Sequence, residues 1–285
     1  MTETHEFGRT GVQVPVIGQG TWNVGDDPAT EAREVAAIRM GLDLGLTHID
    51  TAEMYGDGRS ERVVGRAIAG RRREVFLVSK VLPSNASHDG TIRACERSLQ
   101  RLGIECLDLY LLHWPSGQHP IAETMGALEA LVAAGKTRFI GVSNFTLGEL
   151  RVAERCLSTE RLACNQVLYH AGSRGIETEI VPYCRRKGIA VVGYSPFAQG
   201  AFPPRDRRQR EVLEAIGETH GKTPRQVALR FLTSEDGLFA IPKATQVEHV
   251  RENAAGAGWA LSPADLAAIN EVFRVPPSGT PLETA

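Results

Sequence analysis

Ile49-Asp50-Thr51-Ala52-Glu53-Met54-Tyr55-Gly56 puts a carboxylate and a phenol close behind a short apolar run that includes Leu46 and Ile49. The run reads as a buried strand, and Gly56, Asp57 and Gly58 mark the turn after it. Asp50 then stands at a strand's end and Tyr55 in the loop beyond. Two later runs end in the same manner. Val75-Phe76-Leu77-Val78-Ser79 delivers Lys80, and Leu109-Tyr110-Leu111-Leu112 delivers His113.

Outward from that stretch the chain alternates. Val16–Trp22 reads as a first strand, and later strands end near Asp50, Ser79, Leu112, Val142, Gln166, Gly193 and Ile241. A helix is predicted over Asp27–Leu44, with Val35, Ile38 and Leu42 on one face and Gly45 closing it. Further helices are predicted over Ser60–Ala69, Thr91–Leu102, Ile121–Ala134, Leu147–Cys156, Ile176–Lys187 and Pro224–Ser234. The last interval is longer and holds an extra helix near Arg207–Thr219. Thr223-Pro224 and Ser262-Pro263 each put a hydroxyl at an N-cap and proline in the first turn, the second opening a helix over Pro263–Phe273. Short apolar strands alternating with helices argue for a parallel sheet under helices, and eight such units argue for a (β/α)8 TIM barrel. Phe7–Val14 reads as an N-terminal β-hairpin turning at Arg9-Thr10-Gly11. The expectation is one domain over residues 1–285, with its site at the C-terminal ends of the strands.

Taken singly, the four polar residues have ordinary readings. Asp50 suits a turn, Lys80 a surface, His113 a satisfied core and Tyr55 loop packing. Together they form a proton-transfer set. A free phenol, with a pKa of about 10, protonates an alkoxide weakly. A nearby ammonium favours the phenolate and should draw that value down, and a buried ammonium needs a carboxylate partner. Lys80 would therefore tune Tyr55, Asp50 would anchor Lys80, and His113 would orient a carbonyl oxygen. That is chemistry for reducing C=O with a hydride from elsewhere.

Composition bounds the alternatives. The 285 residues are 42% hydrophobic, ample for a large core, and the net charge of −2 gives no reason to expect nucleic acid or an anionic membrane as a partner. No apolar run has spanning length, and Met1–Glu6 has no signal-peptide pattern. Five cysteines without a Cys-x-x-Cys fit free thiols in the cytoplasm, and no His-Glu-x-x-His supports zinc.

The chain resembles the aldo-keto reductase family. The likeness is carried by Asp50-Thr51-Ala52-x-x-Tyr55-Gly56, Val78-Ser79-Lys80, Leu111-Leu112-His113-Trp114-Pro115 and Gly141-Val142-Ser143-Asn144-Phe145. It continues in family order through Asn165-Gln166, Tyr194-Ser195-Pro196 and Ile241-Pro242-Lys243-Ala244. Within the family it is most similar to bacterial reducers of small 2-oxoaldehydes such as methylglyoxal. No Gly-x-Gly-x-x-Gly follows a strand, so a Rossmann site is not indicated.

The resemblance implies NAD(P)H lying extended across the barrel mouth. Ser143, Asn144 and Gln166 match residues that hydrogen-bond the nicotinamide carboxamide, and Tyr194 the aromatic that stacks on its ring. Gly20, Thr21, Trp22, Asp50, Ser195 and Pro196 fall at matching cofactor positions. Lys243, Ala244, Thr245, His249, Glu252 and Asn253 match the adenosine and phosphate end. Ala244 stands where many members carry serine, and His249 where many carry an arginine for the 2′-phosphate. Histidine lacks the guanidinium fork, which weakens the expected discrimination against NADH; Lys243 keeps NADPH the preferred cofactor. Arg205, Arg207, Arg208 and Arg210 read as a solvated helix start, the sharper reading being a lid over the pyrophosphate.

Trp22, Tyr55, His113, Trp114 and Phe145 are expected around a small carbonyl substrate. Tyr55 would protonate the oxygen as hydride reaches the carbon. The protein is expected to act as a monomer. The alternatives are a slow-turnover NADP(H)-binding redox sensor of the same fold and a Schiff-base enzyme using Lys80, the latter disfavoured by the expected carboxylate partner.

Overall fold

The computed structural model describes residues 2–284. A two-stranded antiparallel hairpin comes first, β1 (Thr4–Glu6) and β2 (Gln13–Pro15). The alternating part follows as β3 (Gln19–Gly20), α1 (Glu31–Asp43), β4 (His48–Asp50), α2 (Arg59–Ile68), β5 (Phe76–Val81), α3 (His88–Leu102) and β6 (Leu107–Leu112). It continues as α4 (Ile121–Ala133), β7 (Thr137–Ser143), α5 (Leu147–Cys156), β8 (Leu162–Leu168), α6 (Ile180–Lys187) and β9 (Ala190–Tyr194). Two helices, α7 (Arg207–His220) and α8 (Pro224–Leu232), precede β10 (Leu238–Ala240), and α9 (Val247–Ala254) and α10 (Pro263–Val272) follow it.

Strands β3 to β10 pair in sequence order, each parallel to the next. The ends of the sheet meet through parallel bridges between Ile17 and Ala240 and between Gly20 and Lys243, with Gly18 N–H donating to Ala240 and Gly20 N–H to Pro242. The eightfold TIM barrel expected from the sequence is therefore closed.

Side-chain alternation along the strands divides the core in two. Phe76 and Val78 of β5, Leu109 and Leu111 of β6, Cys164 of β8, Val192 of β9 and Phe239 of β10 pack together inside the barrel. Residues of opposite parity, such as Leu77, Tyr110, Leu112, Val142 and Val191, pack with the inner faces of the helices. Full burial of one such large apolar side chain is worth about 1.5–3 kcal/mol.

Several features differ from the sequence expectation, among them the start of α3, at His88 rather than Thr91, and the end of β5, at Val81 rather than Ser79. The expected first strand, Val16–Trp22, is regular only over Gln19–Gly20, because its flanking backbone makes the isolated closing bridges instead. The first helix begins at Glu31, preceded by a 3-10 turn over Pro28–Thr30 that Asp27 caps. The helix expected from Ile176 starts at Ile180 after a 3-10 turn over Gly175–Glu177. Phe7 is not a hairpin strand residue. It belongs to the connection between β1 and β2 and is fully buried against Phe76 and Phe239, plugging the lower end of the barrel. Helix α9 was not anticipated. The N-caps expected at Thr223 and Ser262 are present, each closed into a capping box by Gln226 and Asp265.

Candidate active site

Asp50 ends β4, and its position is fixed from behind. Thr21 Oγ1 donates to the Asp50 carbonyl (2.8 Å), Ser60 Oγ donates to the Thr21 carbonyl (3.0 Å), and the Thr51 and Ser60 hydroxyls lie 3.1 Å apart. One strand over, Ser79 points outward and donates to Glu61 (2.6 Å), which Arg101 also holds, so that Lys80 points inward. The Lys80 ammonium is fully buried. It donates to Asp50 Oδ1 at 2.5 Å, to the Thr51 carbonyl at 2.9 Å and to Tyr55 Oη at 3.3 Å. The other Asp50 oxygen accepts from Gln166 Nε2 at 2.7 Å. Four strand ends thus contribute to one network, and all three ammonium hydrogens are used.

Burial opposes the charged form of Lys80, but Asp50 and Tyr55 outweigh it and hold its pKa above the ordinary lysine value. Tyr55 departs from the sequence expectation. Burial raises its pKa, Lys80 lowers it, and Asp50 raises it again, so the phenol titrates above its usual range rather than below it. The ammonium's pull is present and is outweighed. Tyr55 therefore stays protonated at neutral pH.

His113 follows β6 with its ring 5.6 Å from that of Tyr55 and stacked on Trp114 at 4.0 Å. Burial and the Lys80 charge push its pKa well below the usual histidine value, so the imidazole is neutral. Its Nδ1 is buried without a partner, which leaves Nε2 as the nitrogen facing the cleft. Asn144 Nδ2 donates to the His113 carbonyl (3.0 Å) and to Ser143 Oγ (3.1 Å), while Tyr194 Oη donates to Asn144 Oδ1 (2.8 Å).

These groups open on a cleft of about 570 Å³ at the C-terminal end of the barrel. Of the residues anticipated from the sequence, Gly20, Thr21, Trp22, Asp50, Tyr55, His113, Trp114, Asn144, Gln166, Tyr194, Ser195, Pro196 and Lys243 line it. Ser143 does not: it is fully buried behind Asn144 and donates to the Gln166 carbonyl (2.9 Å). Phe145, expected beside the substrate, is also fully buried and packs in the layer under the helices. Strand alternation would turn it inward, opposite to Ile140 and Val142, but the chain turns at Asn144 (φ +61°) and carries the next side chain outward. Ala244, Thr245, His249, Glu252 and Asn253 lie beyond Lys243 and outside the cleft lining. Ala244 packs on apolar neighbours, Glu252 accepts from Thr223, Asn253 is buried, and His249 is exposed on the first turn of α9.

Met54, Phe197, Gln199, Gly200 and Arg225 also line the cleft and were not anticipated. Met54 adjoins Tyr55, which could have drawn attention to it. Trp22 and Met54 are 48% and 45% exposed, so the rim offers apolar surface to an incoming molecule. Backbone strain gathers here too. The non-glycine residues with positive φ are Asn23, Asp57, Asn144, Ser195, Ala198 and Gln199, and four of these six line the cleft. Each costs about 1–3 kcal/mol, a pattern found where geometry serves a site.

A separate hollow of about 650 Å³ lies between α2 and α3. Its Arg66, Arg72 and Arg101 are paired with Glu31, Asp108 and Glu61, and it shares no lining residue with the cleft. Among the described residues there is no cluster able to hold a metal ion and no helix long and apolar enough to cross a membrane.

Known proteins share this layout. A methylglyoxal reductase of Escherichia coli (strain K12) is 45% identical over 272 residues, 95% of each chain. A glyoxal reductase of Bacillus subtilis (strain 168) is 35% identical over 274 residues, 94% of this chain and 93% of that one. The crystal structure of an aldo/keto reductase from Klebsiella pneumoniae, in complex with NADP and acetate, superposes over the full length of both chains with a TM-score of 0.94 at 43% identity. With residues 16–274 matching the family as a whole, the chain belongs to the aldo/keto reductase family.

Proposed function

We propose that this protein is an NADPH-dependent reductase of small aldehydes and 2-oxoaldehydes, methylglyoxal among them. The observation that carries the reading is the buried Asp50–Lys80–Tyr55 network opening on a cleft beside a neutral imidazole. The relatives that reduce methylglyoxal and glyoxal support the substrate class.

The residues present suit the cofactor. Tyr194 offers a flat ring at the inner part of the cleft, beside the amides of Asn144 and Gln166. Gln166 Nε2 is engaged by Asp50, so its carbonyl oxygen is the group available to a carboxamide N–H. Lys243, bridged to Gly20 at the seam of the barrel, supplies the cleft with an ammonium of the kind a phosphate needs. When bound, the nicotinamide supplies a hydride.

The chain's own residues do the rest. His113 Nε2–H donates to the substrate oxygen and orients the carbonyl. Tyr55 Oη gives its proton to that oxygen as negative charge develops there. The Lys80 ammonium, 3.3 Å away, stabilises the phenolate left behind, and Asp50 keeps the ammonium in place. Ser143 acts through Asn144, which it holds against the cleft. Trp22, Met54 and Trp114 exclude water from one side and suit a small apolar carbonyl. The five cysteines are free, which fits a reducing cytoplasm, and the protein is read as a monomer.

The test follows consumption of reduced nicotinamide by purified protein with methylglyoxal, NADPH and NADH in parallel. Turnover with NADPH is expected. Absence of turnover across a panel of small aldehydes, in protein that binds NADPH, would overturn the assignment.

A further inference from the structure

The sequence concentrates arginine at Arg205, Arg207, Arg208 and Arg210, yet the fold engages most of those groups away from the cleft. Arg207 pairs with Glu211, Arg208 with Glu271, and Arg210 donates to the carbonyls of Pro204 and Arg205. The guanidinium that lines the cleft is that of Arg225, the second residue of α8. It is partly buried. Its central carbon lies 4.6 Å from the centre of the Phe197 ring and 5.5 Å from that of Phe202, and the two rings pack 5.5 Å apart. Among the described residues no group accepts a hydrogen bond from it and no carboxylate pairs with it.

That arrangement lacks a counter-charge. The first turn of a helix carries partial positive charge, so a cation there is disfavoured unless an anion lies beside it. The aromatic rings hold the cation through its face. Its in-plane N–H groups, the edge that meets a phosphate bidentately, are left for a ligand. Lys243 is the cleft's other cationic side chain, and His249 is exposed outside it. We propose that Arg225 is a phosphate contact for the dinucleotide, acting with Lys243 and supplying the guanidinium that His249 does not. This rests on the cofactor reading above. Phe197 and Phe202 are positioning residues: they fix the direction of the guanidinium without consuming its donors.

The test is calorimetric titration of wild type, Arg225→Gln and Arg225→Lys with NADPH and, separately, with NADH. Arg205→Gln serves as a control for surface charge. Arg225→Gln is expected to weaken NADPH binding about tenfold or more, as for loss of a charge-assisted hydrogen bond, with partial recovery in Arg225→Lys and no change in Arg205→Gln. Weakening confined to NADPH supports a contact to the 2′-phosphate, and equal weakening of both cofactors supports a contact to the pyrophosphate. Unchanged affinity of Arg225→Gln for both cofactors, in a background where wild type binds NADPH, overturns the proposal. Failure of wild type to bind NADPH overturns the cofactor reading instead.

Discussion

Strand β4 carries one titratable side chain at each end of the barrel. His48 and Asp50 are two residues apart, so both point inward, toward opposite ends of the same core. At the lower end His48 is fully buried with its ring 5.8 Å from Phe7, 5.7 Å from Phe76 and 6.3 Å from Phe239. Neither of its nitrogens has a partner, and burial with the charge of Lys80 pushes its pKa down to about 3. At the upper end Lys80 is as deeply buried, yet three acceptors surround it and it stays charged. Depth alone does not decide the charge state; the partners do. The lower end is a plug that tolerates a neutral ring among aromatics. The upper end is a polar assembly in which each charge has hydrogen-bonding partners and one phenol faces the open cleft.

The largest effect should come from removing that phenol. Tyr55→Phe deletes the proposed proton donor and leaves its ring packing, so turnover should fall about 10²–10⁴-fold while NADPH affinity holds. Near-normal turnover of this variant would remove Tyr55 from the mechanism. Because Tyr55 titrates above the usual phenol range, its acid form predominates at neutral pH. The reduction rate should not decline until the medium is alkaline. Next comes the ammonium. Lys80→Met leaves the buried Asp50 carboxylate with only the Gln166 amide, a loss of about 3–5 kcal/mol in chemical denaturation. Adding Asp50→Asn to it should recover much of that stability and none of the activity. If Lys80→Met is as stable as wild type, the upper end is not held together by charge pairing.

The same contrast explains what could be read from the sequence. The placing of Asp50, Lys80 and His113 at or next to strand ends was legible because a strand alternates its side chains and apolar runs give way to polar chemistry, although β5 runs one residue past Lys80. The helices flanking them were legible from periodicity and capping, Leu147–Cys156 to the residue. Phe145 was misplaced because one backbone conformation at Asn144, invisible in a residue string, decides which way the next side chain goes. The Tyr55 pKa was misjudged because proximity of Lys80 is local, whereas the opposing burial belongs to the whole barrel. Arg225 gave no signal, since only the docking of α8 against Phe197 and Phe202 brings it to the cleft. Phe7 was likewise read as a hairpin residue, because nothing local shows that the hairpin closes a barrel.

The smallest of these effects belongs to His48, and it gives the sharpest test of the comparison. In the unfolded chain this histidine takes up a proton near its ordinary value of about 6.5; in the folded barrel it does so only near about 3. Between those values the unfolded state binds more protons, so stability falls as pH drops through that window. Above it the group contributes no pH dependence. At about pH 5 the difference of roughly 1.5 units corresponds to about 2 kcal/mol. His48→Phe should abolish that part of the slope. The readout is the stability at about pH 7.5 minus that at about pH 5, in wild type and variant, so that any packing change common to both conditions cancels. An unchanged difference would mean that His48 finds a partner in solution. The two ends of β4 would then differ in chemistry but not in principle.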